Sequence, residues 1–176
     1  MRACYICGRD EIENLEVDKD RIAKKSDNLL VYRGIDLYSK NSSIEAMNYG
    51  YDFYIYDLGV LSEQNIDNFT SKDVKILVGG LKYWEMPQTI PILARFESSS
   101  ELNHIFNFCS DEIKKEWKEY YNNTYFSEYA PDPFVADVNT ETYHQIFKDY
   151  IAEKSSKLVV VEKKKGIFSK FLGGKK

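Results

Sequence analysis

The chain has 176 residues, a formal net charge of −4 and 26 aromatic rings (14 Tyr, 10 Phe and 2 Trp), with only 9 Gly and 4 Pro. That much apolar ring surface excludes a generally solvated, disordered chain and describes one globular body with a sizeable core. No run approaches the ~18 apolar residues of a membrane span and no secretory segment follows Met1, so the reading is a cytosolic protein whose three cysteines stay reduced.

In chain order, short β-branched or aromatic runs predict strands at Ala3 to Cys7, Asn28 to Arg33, Tyr51 to Asp57, Val74 to Val78, His104 to Phe108 and Thr124 to Tyr129. Between them lie segments of helical or mixed pattern. Such alternation predicts an α/β fold, a mostly parallel sheet flanked by helices. After Ser110, a good N-cap, the acids Asp111 and Glu112 meet the positive end of the helix dipole, and Ile113, Trp117, Tyr120 and Tyr121 share one face. From Asn139 onward Tyr143, Ile146, Phe147, Tyr150 and Ile151 predict a last helix lying on the sheet. The body is expected to occupy residues 1–153. A basic linker and tail follow at 154–176.

Charge is divided along that line. Residues 157–176 hold seven Lys and one Glu, leaving the preceding 156 residues at −10. An acidic body repels phosphodiesters, which argues against nucleic acid as its partner. In the tail, Ile167, Phe168, Phe171 and Leu172 form a single apolar stripe if helical. Lys163, Lys164, Lys165 and Lys170 accompany it. This is the composition of an amphipathic segment lying in a membrane interface, and the anionic inner face of the cell membrane is the expected surface.

Three constellations bear on chemistry. Asp57 and Gly59 close a buried-type strand, at the end where open α/β sheets bind ligands. A carboxylate there suits a hard cation such as Mg²⁺, and a glycine lets backbone approach phosphate; the bland alternative is an Asp that caps the next element. Cys4 and Cys7 have C-x-x-C spacing, but within an apolar strand they read as buried or edge thiols, since His104, Cys109 and His144 do not complete a zinc set. Neither histidine has an evident nucleophile beside it, so nucleophile-and-base catalysis is not expected. Trp84 and the many tyrosines suit a protein interface.

The order of these parts resembles the MinD/ParA class of P-loop ATPases over roughly residues 3 to 153. In that family an apolar strand ends in a magnesium-facing acid, a later strand ends in an Asn that contacts adenine, and a Pro-containing segment follows the next strand. Asp57, Asn107 and Pro131 or Pro133 match these positions. The tail is similar to the membrane-targeting tail of MinD-type members, with the same Lys-Lys-Gly, apolar pair, Lys, Phe/Leu and Gly-Gly order. The departure is the phosphate loop: nothing of the form G-x-x-x-x-G-K-(S/T) occurs, and Arg2 to Cys7 resembles the family's second strand. The resemblance implies a degenerate, non-hydrolysing module without a resident cofactor, ATP and magnesium being at most a remnant. It would act as a membrane-associated positioning or scaffold protein with a protein partner or as a homodimer. The alternatives are the carboxyl-terminal part of an ATPase whose phosphate loop lies elsewhere, and a plain α/β adaptor.

Overall fold

A computed structural model describes residues 2–8, 22–96, 101–121, 123–132 and 138–151. The chain divides into two compact units, Met1–Lys72 and Asp73–Lys176. Both are α/β, and no helix among the described residues is long and apolar enough to cross a membrane.

The first unit is built on a five-stranded sheet of β1 (Ala3–Cys7), β2 (Ile22–Ser26), β3 (Leu29–Tyr32), β4 (Ile35–Ser39) and β5 (Phe53–Asp57), in the order β2-β3-β4-β1-β5. β1 runs parallel to both β4 and β5, whereas β2, β3 and β4 form an antiparallel meander. The helical or mixed pattern expected on either side of β3 is thus replaced by β2 and β4. The β3–β4 hairpin turns on Arg33 (φ 48°) and Gly34 (φ 83°), and positive φ at both positions matches the twist of the strands they join. β2 escapes detection because it is an edge strand carrying Lys24 and Lys25, charges that discourage further pairing. β4 escapes because its core-facing side alternates Asp36 with Tyr38, an acid where an apolar residue is expected.

That acid belongs to a polar network in the core. Cys4, Ile6, Leu29, Tyr38, Ala46 and Tyr51 are buried together, with Tyr54 and Tyr56 packed against them. Tyr51 donates its hydroxyl to Asp36 Oδ2 at 2.6 Å, the Tyr38 and Tyr51 hydroxyls are 3.1 Å apart, and Lys25 Nζ lies 3.3 Å from Asp36 Oδ1. The rings of Tyr38 and Tyr51 meet edge to face at 6.2 Å. Burial raises both phenols, and for Tyr51 the donated bond to Asp36 adds to the effect. The Cys4 thiol is pushed up to about 11, first by burial and then by the Asp36 charge. Two short helices, α1 (Ser43–Met47) and α2 (Ile66–Thr70), contribute the buried Ala46 and Phe69.

The second unit holds a wholly parallel sheet of β6 (Lys75–Gly79), β7 (Leu102–Asn107) and β8 (Thr124–Ser127), in the order β6-β7-β8. Connecting helices are α3 (Met86–Arg95) and α4 (Asp111–Tyr120), followed by α5 over residues 140–151. The parallel pairing expected from the pattern is present here, and the strands fall within two residues of their predicted limits. Ser110 caps α4 as expected, its Oγ accepting the Ile113 N–H at 3.5 Å. Ile113, Trp117 and Tyr121 pack on the core of Leu81, Leu93 and Phe106. Tyr120 does not join them and is 71% exposed, because at 100° per residue it falls about 60° from the middle of the 113/117/121 row. On α5 only Ile146 is buried; Tyr143 and Tyr150 are partly exposed, and the Tyr150 hydroxyl donates to the Asp73 carbonyl at 3.4 Å.

Candidate functional site

Parallel strands align their carboxyl ends on one edge. In the first unit the register sets Cys7 opposite both Ser39 and Asp57, so three polar strand tips stand abreast. Asp57 is exposed, and its oxygens are engaged within the unit. Oδ1 accepts the Gly59 N–H at 2.8 Å, Oδ2 accepts the Tyr5 hydroxyl, and the Asp57 carbonyl accepts the Gly8 N–H at 2.6 Å. The first bond closes an Asx-type turn, and Gly59 sits in it at φ 68°, a conformation that favours glycine. Gly8 is needed for a different reason: a Cβ there would overlap the Asp57 carbonyl oxygen. Asp57 therefore ties the ends of β1 and β5 together.

In the second unit Asn107 ends β7 opposite Ser127, whose hydroxyl donates to Asn107 Oδ1. The Asn107 carbonyl accepts a weak bond from the Cys109 thiol at 3.7 Å, and burial raises that thiol. Pro131 is exposed in the bend after β8; Pro133 lies outside the described residues. Asp57 and Gly59 thus share one turn, while Asn107 and Pro131 belong to the carboxyl end of the other sheet. The tail residues Lys163, Lys164, Lys165, Ile167, Phe168, Lys170, Phe171 and Leu172 also lie outside the described residues.

Alternation along β1 settles the geometry of the C-x-x-C pair. Cys4 and Ile6 face the core, whereas Tyr5 and Cys7 project from the opposite face, so the two thiols point apart and cannot share a metal. His104 lies inside β7, 4% exposed, between Phe106 and Tyr121 with ring separations of 6.3 and 5.6 Å. Neither of its ring nitrogens has a partner among the described residues, and burial lowers its pKa, keeping it neutral. It packs as a core residue of β7. His144 is exposed on α5.

Tyr5 is the site residue that sequence reasoning missed. It lies 52 positions from Asp57, and no local pattern connects the two. The signal was indirect: a tyrosine on the exposed face of a strand that must run beside the acid-tipped one. No protein-family model, no curated protein and no solved structure matches the chain.

Proposed function

We propose that the chain is a degenerate MinD/ParA-like module in which nucleotide hydrolysis has given way to attachment, a non-hydrolysing positioning or scaffold protein held at an anionic membrane surface. The observation that carries this reading is the bonding of Asp57. A carboxylate that serves magnesium at a strand tip must accept from water in the metal's shell. Here one oxygen accepts from Tyr5 and the other from Gly59, so a cation would have to compete with donors supplied by the protein itself. The sequence also offers no Gly-rich anion nest and no phosphate-loop lysine to neutralise a triphosphate.

Attachment falls to the lysine-flanked stripe of Ile167, Phe168, Phe171 and Leu172. Each Lys near an anionic leaflet contributes ~1 kcal/mol and each fully buried apolar side chain roughly 1.5 to 3 kcal/mol, offset by the ordering of a short helix. One tail of this kind binds reversibly. Two tails brought together by a second copy or a partner bind far better, which is what a scaffold requires.

Two measurements test the reading. Titration with a fluorescent ATP analogue and Mg²⁺ should show no micromolar binding; micromolar, magnesium-dependent binding lost in Asp57→Ala would instead identify part of a working ATPase. Sedimentation with phosphatidylglycerol vesicles should pellet the wild type and leave Ile167→Asp/Phe171→Asp in solution. Equal pelleting of the two would remove the membrane half of the proposal.

A further inference from the structure

The carboxyl end of the second sheet carries aromatic side chains that its core does not use. After β6 the chain buries Leu81 and then presents Lys82, Tyr83 and Trp84, with Tyr83 88% and Trp84 71% exposed. Phe108, directly after β7, is 54% exposed, and Tyr129, two residues past β8, is 70% exposed. Contacts link the segments leaving three neighbouring strands. The Phe108 and Tyr129 rings are 6.0 Å apart, and Lys82 Nζ lies 5.7 Å from the ring centres of both Trp84 and Phe108.

Water should drive such rings inward, as it does for Phe106, two residues earlier and 1% exposed. Phe108 is instead held outward by a left-handed backbone, φ 56°, which is unusual for a bulky residue and is the kind of local strain that marks contact sites. Its N–H still reaches the Ser127 carbonyl at 3.4 Å, so the turn is bonded in this conformation.

The chemistry of the cluster selects its occupant. Lysine is depleted from the cores of protein interfaces, where its ammonium must lose water without gaining a partner. At a bilayer surface the same ammonium lies among lipid phosphates while its stem and the neighbouring rings reach the acyl boundary. Trp and Tyr favour that layer because each has an apolar body and a polar tip. Of the neighbouring acids Glu128 pairs with Lys114 at 3.0 Å, whereas Glu85 accepts only the neutral Lys82 backbone N–H at 3.1 Å. The rings rather than net charge therefore carry this contact, and the attraction of an acidic body to anionic lipid falls to the Lys-rich tail sequence.

We propose that Tyr83, Trp84, Phe108 and Tyr129, with Lys82 among them, form a second membrane contact that enters the headgroup layer of an anionic bilayer. The proposal rests on the tail reading for the identity of the surface, since both contacts belong to the Asp73–Lys176 unit. It gives that unit an orientation on the membrane that a single attachment alone would not impose.

Full-length proteins would be titrated with vesicles of phosphatidylglycerol and phosphatidylcholine, with binding read by sedimentation and by tryptophan emission. The chain has two tryptophans, and Trp117→Phe leaves Trp84 as the sole reporter. Quenching by brominated acyl chains reads the same insertion in the wild type, without touching the core. Trp84 emission should move to the blue and be quenched, and Trp84→Ser/Phe108→Ser should weaken partitioning about tenfold with circular dichroism unchanged. Wild-type pelleting with unshifted Trp84 emission, or equal binding by the ring variant, would overturn the proposal and leave the tail reading standing. A Trp84 shift that persists in Ile167→Asp/Phe171→Asp would support the rings while removing the tail. A shift that follows protein concentration rather than lipid would assign the rings to self-association and overturn the membrane contact.

Discussion

The two units answer the same problem, closing the carboxyl end of a parallel strand set, in opposite ways. In the first, Tyr5, Gly8 and Gly59 all donate to Asp57, and this polar strand tip is consumed by the fold. In the second, Asn107 is likewise bonded to Ser127, but the next residue turns outward and joins an exposed cluster. The cores differ in the same sense. The first is organised around hydroxyls and a carboxylate (Tyr38, Tyr51 and Asp36), the second around stacked and edge-on rings of Phe106, Trp117 and Tyr121. A polar core specifies partners through directed bonds. An apolar one depends on volume, and its rigidity leaves the strand ends available for presenting side chains.

Three substitutions sharpen or break that contrast. The largest effect is expected from Phe106→Ala, which removes a ring that is 1% exposed from the centre of the second core and should cost about 3–5 kcal/mol. Amide exchange should accelerate first in β6, β7 and β8; equal acceleration in β1 and β5 would mean that the units unfold as one. Tyr51→Phe comes next, at about 1–3 kcal/mol, because it keeps the ring but leaves Asp36 without its buried hydroxyl donor. Urea unfolding followed through the first unit's amides checks it. No loss of stability would show that Lys25 and solvent satisfy Asp36 alone.

The smallest effect concerns His104. Its folded pKa lies below the usual value, so the folded state binds fewer protons than the unfolded state as pH falls through the ordinary histidine range. Stability from this source is complete above about pH 6.5 and declines as pH drops toward the lowered folded value. His104→Leu should flatten that decline and, by removing two ring nitrogens that have no partner among the described residues, change stability at neutral pH by less than about 1 kcal/mol. Thermal melts of both proteins between pH 5 and 8 would show it. A decline of equal slope in the variant would move the titrating group elsewhere.

Legibility in the sequence followed the range of the interactions. β1, the later strands and α4 with its Ser110 cap were readable because periodicity and capping are properties of neighbouring residues. β2 and β4 were not, since a lysine-bearing edge and a half-buried acid both contradict the local pattern and make sense only beside their partners. Asp57 was readable as the polar end of a strand, but its engagement by Tyr5 depends on two segments meeting across 52 residues.

The amino-acid sequence by itself determined the α/β class, the parallel-strand content, the packed thiol of Cys4 and the difference in charge between an acidic body and a cationic, apolar tail. These follow from side-chain spacing and charge, which need no knowledge of the fold. Only the tertiary structure decided that strands are shared between two sheets, that the Asp57 carboxylate is bonded from within, and that Phe108 faces outward beside Lys82. Each of these is a pairing between distant segments, and its energy exists only once the chain has closed the loops that bring them together.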